Sequence, residues 1–438
     1  MHDNFGVGPA PIGRSERSAG LWAFVVFAVV GSLIVTYWIV SDSRRRSPAA
    51  IAATVPSAPT PTVGHHYAPI TAGPDDLAME VLRLHAVALI EGDEAGWLAA
   101  VDPAKPALVA RYRGVYRSLR TLGVDRYSYR RNVGTGDRKN PSVRTIPVRA
   151  SYCFGADTCA DRSWGSVGQI LTMRPVGGKY VITAMADQPG KNNEPVAWQA
   201  GTLQFVQGKR TIVGAEPTEA KYLSQYLAIA EQAAAADDPF AVLFLTRQTR
   251  YRVFLAGEKQ WKKWYGGSED WAVGTANATS ESGYDVVLRV ARLDTARERL
   301  VTMKHELGHV ITLTGAANYR DRDRWLREGI AEYIGWAPKT AQDSFRRPSA
   351  EWGAHRFTTM VQTWPGYRAS DRAGDAFYAL SHYAIDCLAQ TYGRERMLRF
   401  ARLILLHDEP YDAAARDAFK KPFAAVDKSC VAWVRQHV

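Results

Sequence analysis

The most regular pattern of hydrophobic and polar positions in the chain runs from Thr295 to Gly315. Apolar residues recur there at helical spacing, at Leu300, Val301, Met303, Leu307, Val310, Ile311 and Leu313. The pattern predicts an amphipathic helix of about five turns. Thr295 and Glu298 fit a capping box at its start, and Gly315 fits a stop at its end.

Residues 75–198 show helical periodicity first and strand-like alternation afterwards. Helices are predicted at Leu77–Ile90, from Gly92 through Leu98 and at Ala107–Leu119, and strands around Tyr127–Val133, Val143–Tyr152, Val167–Met173 and Lys179–Met185. Gly- and Asp-rich turns separate the strands. Helices followed by a meander predict an α+β cone, and this layout resembles the NTF2-like fold. No catalytic constellation lies in this part, which favours a spacer or a binding module.

Residues 199–438 combine a mixed sheet with a run of helices. Strands are predicted at Gly201–Val213, Tyr251–Phe254, Trp271–Thr279 and Asp285–Val290, with a helix at Pro217–Asp237. Helices are predicted after the Thr295–Gly315 segment, at Trp325–Tyr333, Asp375–Tyr392, Arg394–His407, Tyr411–Phe419 and Pro422–His437. The predicted fold class is therefore α+β, with a sheet lobe followed by a helical lobe.

The first 74 residues have the composition of a membrane anchor and a tether. Leu21–Val40 contains no charged residue, and at helical rise it spans about 30 Å, the thickness of a bilayer core. We expect a cytoplasmic tail at 1–18, a transmembrane helix at 19–41 and a Pro- and Ala-rich linker at 42–74. The alternatives are a cleaved signal peptide and a buried core helix; the length of the run and the weak cleavage site favour an uncleaved anchor.

Membrane orientation is indicated in opposite directions by two features. Arg44-Arg45-Arg46 follow the span, so a simple count of positive charges places the rest of the chain in the cytoplasm. The four cysteines form two plausible pairs, Cys153 with Cys159 and Cys387 with Cys430, which fits an oxidising compartment. The alternative is four buried thiols. We expect the amino terminus inside and the larger part outside the cytoplasm.

The segment His305-Glu306-Leu307-Gly308-His309 lies within the predicted helix and carries the chemistry. Residues four apart in a helix lie on one side, so His305 and His309 can bind one Zn²⁺ while Glu306 lies beside a water molecule. The alternative is two surface histidines on an ordinary helix. A third ligand is available in Glu328, which lies in a second predicted helix that starts at Trp325; eighteen residues intervene between His309 and Glu328, enough for a turn and an antiparallel return. Two histidines, a glutamate and water make the catalytic kind of zinc site.

This spacing, followed by Trp325-Leu326-Arg327-Glu328-Gly329-Ile330-Ala331-Glu332-Tyr333, resembles the gluzincin metallopeptidases, the thermolysin-like zinc enzymes. The specific motifs lie in 305–333. The resemblance implies that His305, His309 and Glu328 bind zinc and that Glu306 is the general base. It also implies that Glu332 holds a ligand histidine, most simply His305, by its other ring nitrogen. A solvated helix carboxylate is the alternative for Glu332.

Gluzincins also carry a downstream Tyr or His that donates a hydrogen bond to the tetrahedral oxyanion. Tyr378 is the best position for this role, and His382, one turn later, competes with it; both could be ordinary packing residues. The chain lacks the Gly-x-Met-Glu-Asn loop of zinc aminopeptidases, which argues against dedicated capture of a substrate amino terminus. We expect the substrate peptide to pair with the edge strand that precedes the zinc helix.

The net charge of +11 predicts a basic surface, but the sequence contains no motif for reading nucleic acid. The arginines are scattered, and runs such as Arg130-Arg131 and Arg346-Arg347 are short. We therefore expect no nucleic-acid partner; anionic envelope polymers or lipid headgroups are the alternative partners for a basic surface. The sequence predicts a membrane-anchored zinc endopeptidase. The alternatives are an inactive binding or scaffold protein with a peptidase fold and a zinc hydrolase of non-peptide substrates.

Overall fold

The computed structural model describes residues 73–132, 142–155, 157, 159, 164–190, 193–268, 270–280, 283–316, 320–366 and 368–438. The expected tail at 1–18, the expected membrane helix at 19–41 and nearly all of the expected linker at 42–74 lie outside these residues. None of the helices in these ranges has both the length and the apolar character needed to span a bilayer.

The first part of the described chain consists of helices packed on an antiparallel meander. The helices are α1 Pro74–Glu91, α2 Glu94–Ala99 and α3 Pro106–Thr121, and the strands are β1 Val124–Arg131, β2 Arg144–Phe154, β3 Gly165–Val176 and β4 Lys179–Asp187. Each strand pairs with its sequence neighbour. Alternate residues of β2, among them Ile146, Val148 and Ala150, are buried as the alternation requires. Leu82 and Leu89 of α1 join the same core.

A second sheet, of five strands, follows the meander and ends in the edge strand β8, Gly274–Ala278. Its strands are β5 Gln204–Gln207, β6 Thr211–Ala215, β7 Tyr251–Ala256, β8 Gly274–Ala278 and β9 Tyr284–Arg289, in the order β5-β6-β7-β9-β8. Strands β6, β7 and β9 are parallel, while β5 and β8 run antiparallel to their neighbours. Two helices, α4 Leu223–Phe244 and α5 Glu258–Trp261, accompany it. Strand β8 is therefore an edge of this sheet, as expected.

Several predicted boundaries in the second sheet were wrong. The predicted strand Gly201–Val213 is a hairpin of β5 and β6, since Gly208 donates to the Thr211 carbonyl and closes a turn. The predicted strand at 271–279 begins only at Gly274. Helix α4 continues through Pro239 to Phe244, beyond the predicted end at Asp237. Short 3-10 turns, which hydrophobic periodicity does not reveal, lie at Ala197–Ala200, Ala220–Tyr222, Trp264–Gly266 and Val290–Arg292.

A buried charge network joins the first part of the chain to the second sheet. Arg252 of β7 donates to Asp285 of β9 over 2.6 Å and to Asp157, which follows β2, over 2.8 Å. Both acidic side chains are 3 % exposed or less, so each charge in this apolar setting needs its partner. Tyr265 adds a hydrogen bond to Asp285. The hydrophobic core of the meander also continues into this sheet through Phe254.

The remainder of the chain is helical. The helices are α6 Ala296–Leu313, α7 Arg324–Trp336, α8 Arg347–Gly353, α9 Asp371–Tyr392, α10 Arg394–Leu405, α11 Tyr411–Phe419 and α12 Phe423–His437, with 3-10 turns at Asp321–Asp323, Ala341–Asp343 and Ala354–Arg356. The predicted caps of α6 are confirmed. Thr295 and Glu298 accept each other's backbone N–H at 3.1 and 2.8 Å, and Gly315 has a φ of +75°.

Both predicted cysteine pairs are disulfides. Cys153 is bonded to Cys159 beside the end of β2. Cys387 of α9 is bonded to Cys430 of α12, with their Cα atoms 5.6 Å apart, so two helices distant in sequence are covalently joined. The four-thiol alternative is wrong for this chain, since none of its cysteines is free.

Gly329 explains how helices α7 and α9 come close enough to share a site. A Cβ atom at this position would lie 2.7 Å from the Ser381 carbonyl oxygen and 2.8 Å from Ile385. Any larger residue would push α9 away from α7. The glycine that follows Glu328 in the motif therefore sets the distance between the helix of Glu328 and the helix of Tyr378.

Candidate metal centre

Helices α6 and α7 bring His305, His309 and Glu328 to one point. The Glu328 Oε2 atom lies 3.1 Å from His309 Nε2 and 3.4 Å from His305 Nε2. One ligand atom from each residue lies within 4.8 Å of the other two. The two imidazole rings are perpendicular, with centroids 4.7 Å apart, as expected for neighbours one turn apart. Eighteen intervening residues do return the chain antiparallel, as predicted.

The donor set fits a zinc ion. Two imidazole nitrogens and one carboxylate oxygen are the donors of catalytic zinc sites, which keep a further position for water. Both histidines are at least nine-tenths buried, and Glu328 is part-buried, so the three donors converge in a sheltered place. Residues His305, His309 and Glu328 are therefore the ones that would hold the metal.

Glu332 lies where a residue that orients a ligand histidine belongs. Its Oε1 atom is 3.1 Å from His305 Nδ1, and it accepts hydrogen bonds from Arg346 Nη1 and Trp336 Nε1, also at 3.1 Å. Its side chain is 1 % exposed. Burial opposes ionisation, but Arg346 and His305 outweigh it and lower the pKa of Glu332 to about 2. A carboxylate fixed in this way leaves the Nε2 atom of His305 directed at Glu328.

The histidines and carboxylates of the centre stabilise each other's charges. Burial alone would lower the pKa of His305, but Glu328 and Glu332 raise it to about 10. Burial alone would raise the pKa of Glu328, but His309 and His305 hold it well below its usual range. A positive charge is thus strongly favoured among these donors, which is the property that a cation site needs.

Glu306 lies beside the donors without joining them. It is 4 % exposed, and within the described residues its Oε2 atom has no hydrogen-bond partner. Burial raises the pKa of this carboxyl group, against the opposing effect of the two histidines. Its other oxygen packs on Gly274 of β8, where an added Cβ atom would lie 2.4 Å from Oε1. The edge strand therefore fixes the position of the predicted base.

Replacing Gly274 with Ala is expected to lower kcat for the peptide hydrolysis that the sequence predicts, by about 10–100-fold. The reason is that the new methyl group displaces the Glu306 carboxylate. Metal content and the thermal midpoint should stay close to those of the natural chain. The matched control is Gly155→Ala, where the added Cβ atom would meet only ordinary contacts at 3.7 Å. Equal kcat values for the two variants would show that Glu306 is not positioned by this strand.

Replacing Glu332 with Gln is expected to weaken metal binding by about 10–100-fold, because the amide holds His305 without a negative charge. Competition with a chromogenic chelator measures this affinity, and circular dichroism verifies that the fold is retained. Glu351→Gln, at an exposed residue paired with Arg347, is the control. An unchanged metal dissociation constant would contradict the assigned role of Glu332.

Tyr378 and His382 of α9 are placed differently. The Tyr378 ring lies 5.8 Å from the His305 ring and lines the cavities on both sides of the centre. His382 is fully buried, lies 3.8 Å from Asp386, and lines neither of these cavities. Burial lowers the pKa of His382. The structure thus brings Tyr378 to the centre and places His382 in the packing behind it.

Two cavities flank the donors. One of about 280 Å³ extends past Trp271 and Arg346, and one of about 200 Å³ extends past Trp364 and Arg327. Both reach Gly274, Glu306 and His305, whereas His309 and Glu328 line only the smaller cavity. Glu306 and His305 therefore have open space on two sides.

Sequence reasoning missed several contributors to this cleft. Arg346, which binds Glu332 and also contacts Asp375, appeared in the sequence only as part of a short basic run. Trp271 and Trp364 pack against Tyr378 at ring distances of 5.7 and 6.5 Å. Their positions outside the two motif helices gave no signal in the sequence.

One side of strand β8 lies at the edge of its sheet and lines the smaller cavity. The Arg289 N–H donates to the Val273 carbonyl and the Thr279 N–H to the Gly283 carbonyl, so odd-numbered residues face β9. Because direction alternates along an antiparallel strand, Gly274 and Ala276 direct their amide and carbonyl groups away from β9. Among the described residues, no strand pairs with β8 on that side.

Comparisons with known proteins give little beyond this geometry. No protein-family profile matches the chain. No curated protein sequence matches it either. Among solved structures, a two-domain M1 zinc metallopeptidase mutant bound to L-arginine is similar, at 14 % identity and a TM-score of 0.33. The match covers 60 % of this chain and 58 % of that one, so the chain aligns with little more than half of that protein. A likeness this distant carries no argument about function.

Proposed function

We propose that this chain is a zinc-dependent metallopeptidase of the gluzincin kind. We propose further that it is an endopeptidase, since cavities lie on two sides of Glu306 and His305. The observation that carries the proposal is the convergence of His305, His309 and Glu328, with Glu306 beside them at the edge of β8. Glu332 supports it because its Oε1 atom lies 3.1 Å from the other ring nitrogen of His305. These five residues are the zinc ligands, the base and the orienting carboxylate that the motif resemblance implies.

In the proposed reaction, bound zinc supplies Lewis acidity to a peptide carbonyl and to water in the cleft. Glu306 accepts a proton from the attacking water and then delivers it to the leaving amine. Tyr378 donates a hydrogen bond to the developing oxyanion, since its ring borders the donors and His382 is buried behind it. Glu332 and Arg346 keep His305 oriented throughout.

The proposed substrate is an extended peptide or protein segment that adds a strand to β8. The outward backbone groups of Gly274 and Ala276 would bind the peptide main chain and carry it past Glu306. Main-chain pairing gives affinity without side-chain selection, which suits an endopeptidase. Side-chain preference would then depend on the two flanking cavities.

We also propose the cellular setting that the sequence predicts. The uncharged run Leu21–Val40 supports a single-pass membrane anchor, and the two disulfides support a larger part outside the cytoplasm. In this proposal, residues 75–198 are an NTF2-like module that precedes the peptidase domain at 199–438. No nucleic-acid partner is proposed. Resistance of residues 75–438 to protease added to intact cells would overturn this orientation.

Hydrolysis of an unfolded protein, with and without chelator, tests the proposed activity. We expect one zinc ion per chain, cleavage that a chelator stops, and recovery when zinc is added back. Glu395→Gln, an exposed substitution on α10, should leave cleavage unchanged. One bound zinc ion without chelator-sensitive cleavage would instead favour an inactive scaffold or a hydrolase of non-peptide substrates.

A further inference from the structure

A further cavity lies between the meander and the five-stranded sheet. This meander cavity has a volume of about 610 Å³. Its wall on the sheet side is formed by residues 276–280, the end of β8 and the two residues that follow it. Its wall on the meander side includes Arg149 and Tyr152 of β2 and Gly165 and Ser166 of β3. The meander and the sheet therefore both contribute to one cavity.

Strand β8 leads from the metal centre into the meander cavity. Gly274 packs on Glu306 and lines the cavity of about 200 Å³ that also reaches His309. Ala276 lines that cavity and the meander cavity, so the two spaces share a residue. Ala278 lies four residues beyond Gly274, which is about 14 Å at the rise of an antiparallel strand. One strand therefore forms a wall of both spaces.

The alternation along β8 continues as far as the meander cavity. The Thr279 N–H donates to the Gly283 carbonyl, so Thr279 faces β9. Ala278 therefore directs its N–H and C=O groups away from β9, as Gly274 and Ala276 do. A peptide strand that pairs with β8 at Gly274 would reach Ala278 after four more of its own residues. The continuing peptide would then lie in the meander cavity.

The two walls of the meander cavity are held together by buried contacts. Arg252, whose side chain is 3 % exposed, donates to the Thr279 hydroxyl over 3.1 Å and to Asp157 over 2.8 Å. Thr279 follows β8 and Asp157 follows β2, so one guanidinium joins the walls, and separating them would leave buried charges without partners. The walls also approach closely at Gly165, where an added Cβ atom would lie 2.3 Å from the Thr279 carbonyl oxygen. The cavity is therefore part of the packed structure.

We propose that the meander cavity is a substrate subsite, which binds the part of a peptide that lies about two to six residues from the cleaved bond. The inference rests on the proposed function and names its substrate class, an extended protein segment in preference to a short peptide. These residue positions follow from β8, since Gly274 lies beside Glu306 and residues 276–280 line the cavity. The polar side chains that the cavity offers to such a segment are Arg149, Ser166, Glu194, Asn277, Thr279 and Ser280.

Peptides of increasing length test the subsite. One central sequence is extended by up to about six polar residues, Ser and Asn, first at its amino end and then at its carboxyl end, and kcat/KM is measured for each peptide. We expect kcat/KM to rise by about tenfold or more once the extension at one end passes its second residue, because the added residues bind in the meander cavity. Equal kcat/KM values for all lengths at both ends would overturn the proposal.

A proline variant tests whether pairing with β8 extends to the meander cavity. Ala278→Pro removes an N–H that is directed away from β9 and leaves the hydrogen bonds between β8 and β9 in place, which an edge strand tolerates. We expect the ratio of kcat/KM between long and short peptides to fall toward one. Gln207→Pro, in the opposite edge strand β5, is the matched control: Gly208 donates to Thr211, so Gln207 directs its N–H away from β6. A ratio kept in Ala278→Pro, or lost equally in Gln207→Pro, would contradict the subsite.

A second pair of variants tests the meander wall without altering β8. Ser166→Phe places a ring in the cavity and removes one hydrogen bond, which Arg149 donates to the Ser166 hydroxyl over 2.9 Å. Thr183→Phe is the control in β4: Thr183 is not among the described residues that line the cavity, and it loses a comparable hydrogen bond, to the Thr172 carbonyl over 3.1 Å. We expect the ratio between long and short peptides to fall in Ser166→Phe and to be kept in Thr183→Phe. The same ratio in both variants would overturn the role of the meander.

Binding separates this inference from the proposed activity. Fluorescence anisotropy measures the affinity of Glu306→Gln chains for labelled long and short peptides without any turnover, and circular dichroism verifies that each variant retains its fold. Tighter binding of the long peptide, lost when Ser166→Phe is added, would support the subsite even if the natural chain cleaves nothing. Equal affinity for the two lengths, or no binding of either, would overturn the subsite even if cleavage is observed.

Discussion

The variant Glu306→Gln is expected to lose hydrolytic activity by at least about a thousandfold while still binding one metal ion per chain. Glutamine has the size and shape of glutamate but cannot take a proton from water. Glu306 is not among the three metal donors, and the Gly274 contact that fixes it depends on shape rather than charge. The substitution should therefore remove the chemistry and leave the site intact.

Turnover of a fluorogenic peptide and metal analysis of the same preparation measure both parts of this expectation. Because Glu306 is 4 % exposed and burial raises the pKa of its carboxyl group, the neutral amide should leave stability unchanged or slightly higher. Glu395→Gln serves as the control for charge alone, on an exposed part of α10. Full activity in Glu306→Gln would remove the proposed mechanism.

The convergence of His305, His309 and Glu328 was largely predictable from the sequence, because helix geometry is local. The interval between His305 and His309 fixes their common face in any α-helix. The capping box at Thr295 and the stop at Gly315 fixed where that helix begins and ends. Only the contact between Glu328 and the two histidines joins separate helices. The short segment between them predicted that helices α6 and α7 are antiparallel.

The surroundings of the centre were not predictable, because they depend on packing between distant segments. Arg346 follows Glu332 outside the same helix, and no periodicity marks a side chain that reaches back from a loop. Gly274 was read as part of a strand, but its contact with Glu306 depends on how that strand packs on α6. Such contacts join segments that are distant along the chain, and no local sequence pattern indicates which distant segments will meet.

Tyr378 and His382 show what periodicity alone leaves open. Residues four apart share a helix face, so the sequence offered both as neighbours of the oxyanion. In the structure the two residues differ in burial. Tyr378 borders the cavities, and His382, one turn later in α9, is fully buried. Burial along a helix, unlike its facing direction, is set by the elements packed over it.

The division of the described chain at residue 198 stays a prediction. The strands of the meander and the mixed sheet have separate hydrogen-bond networks, as expected for two modules. The Arg252 network and the hydrophobic contacts of Phe254 nevertheless connect them. Sequence patterns assign residues to sheets by alternation, but they do not reveal an ion pair whose members are 95 residues apart.

Removal of a metal donor is expected to have the largest effect on metal binding. Glu328→Gln should weaken zinc affinity by more than the roughly 10–100-fold expected for Glu332→Gln, because it removes a donor and not the residue that orients one. His309→Ala should do the same, because it also removes a donor. Metal analysis after dialysis against a weak chelator measures the order of the three variants.

The order of these losses decides between a metal site and an ordinary buried charge cluster. In a charge cluster, Glu328 and Glu332 are comparable partners of His305, at 3.4 and 3.1 Å, and their replacement should affect the chain equally. In a metal site, Glu328 binds the ion and Glu332 only orients a ligand, so activity and metal content should fall together and most in Glu328→Gln. Equal metal content in both variants would show that His305, His309 and Glu328 form no metal centre.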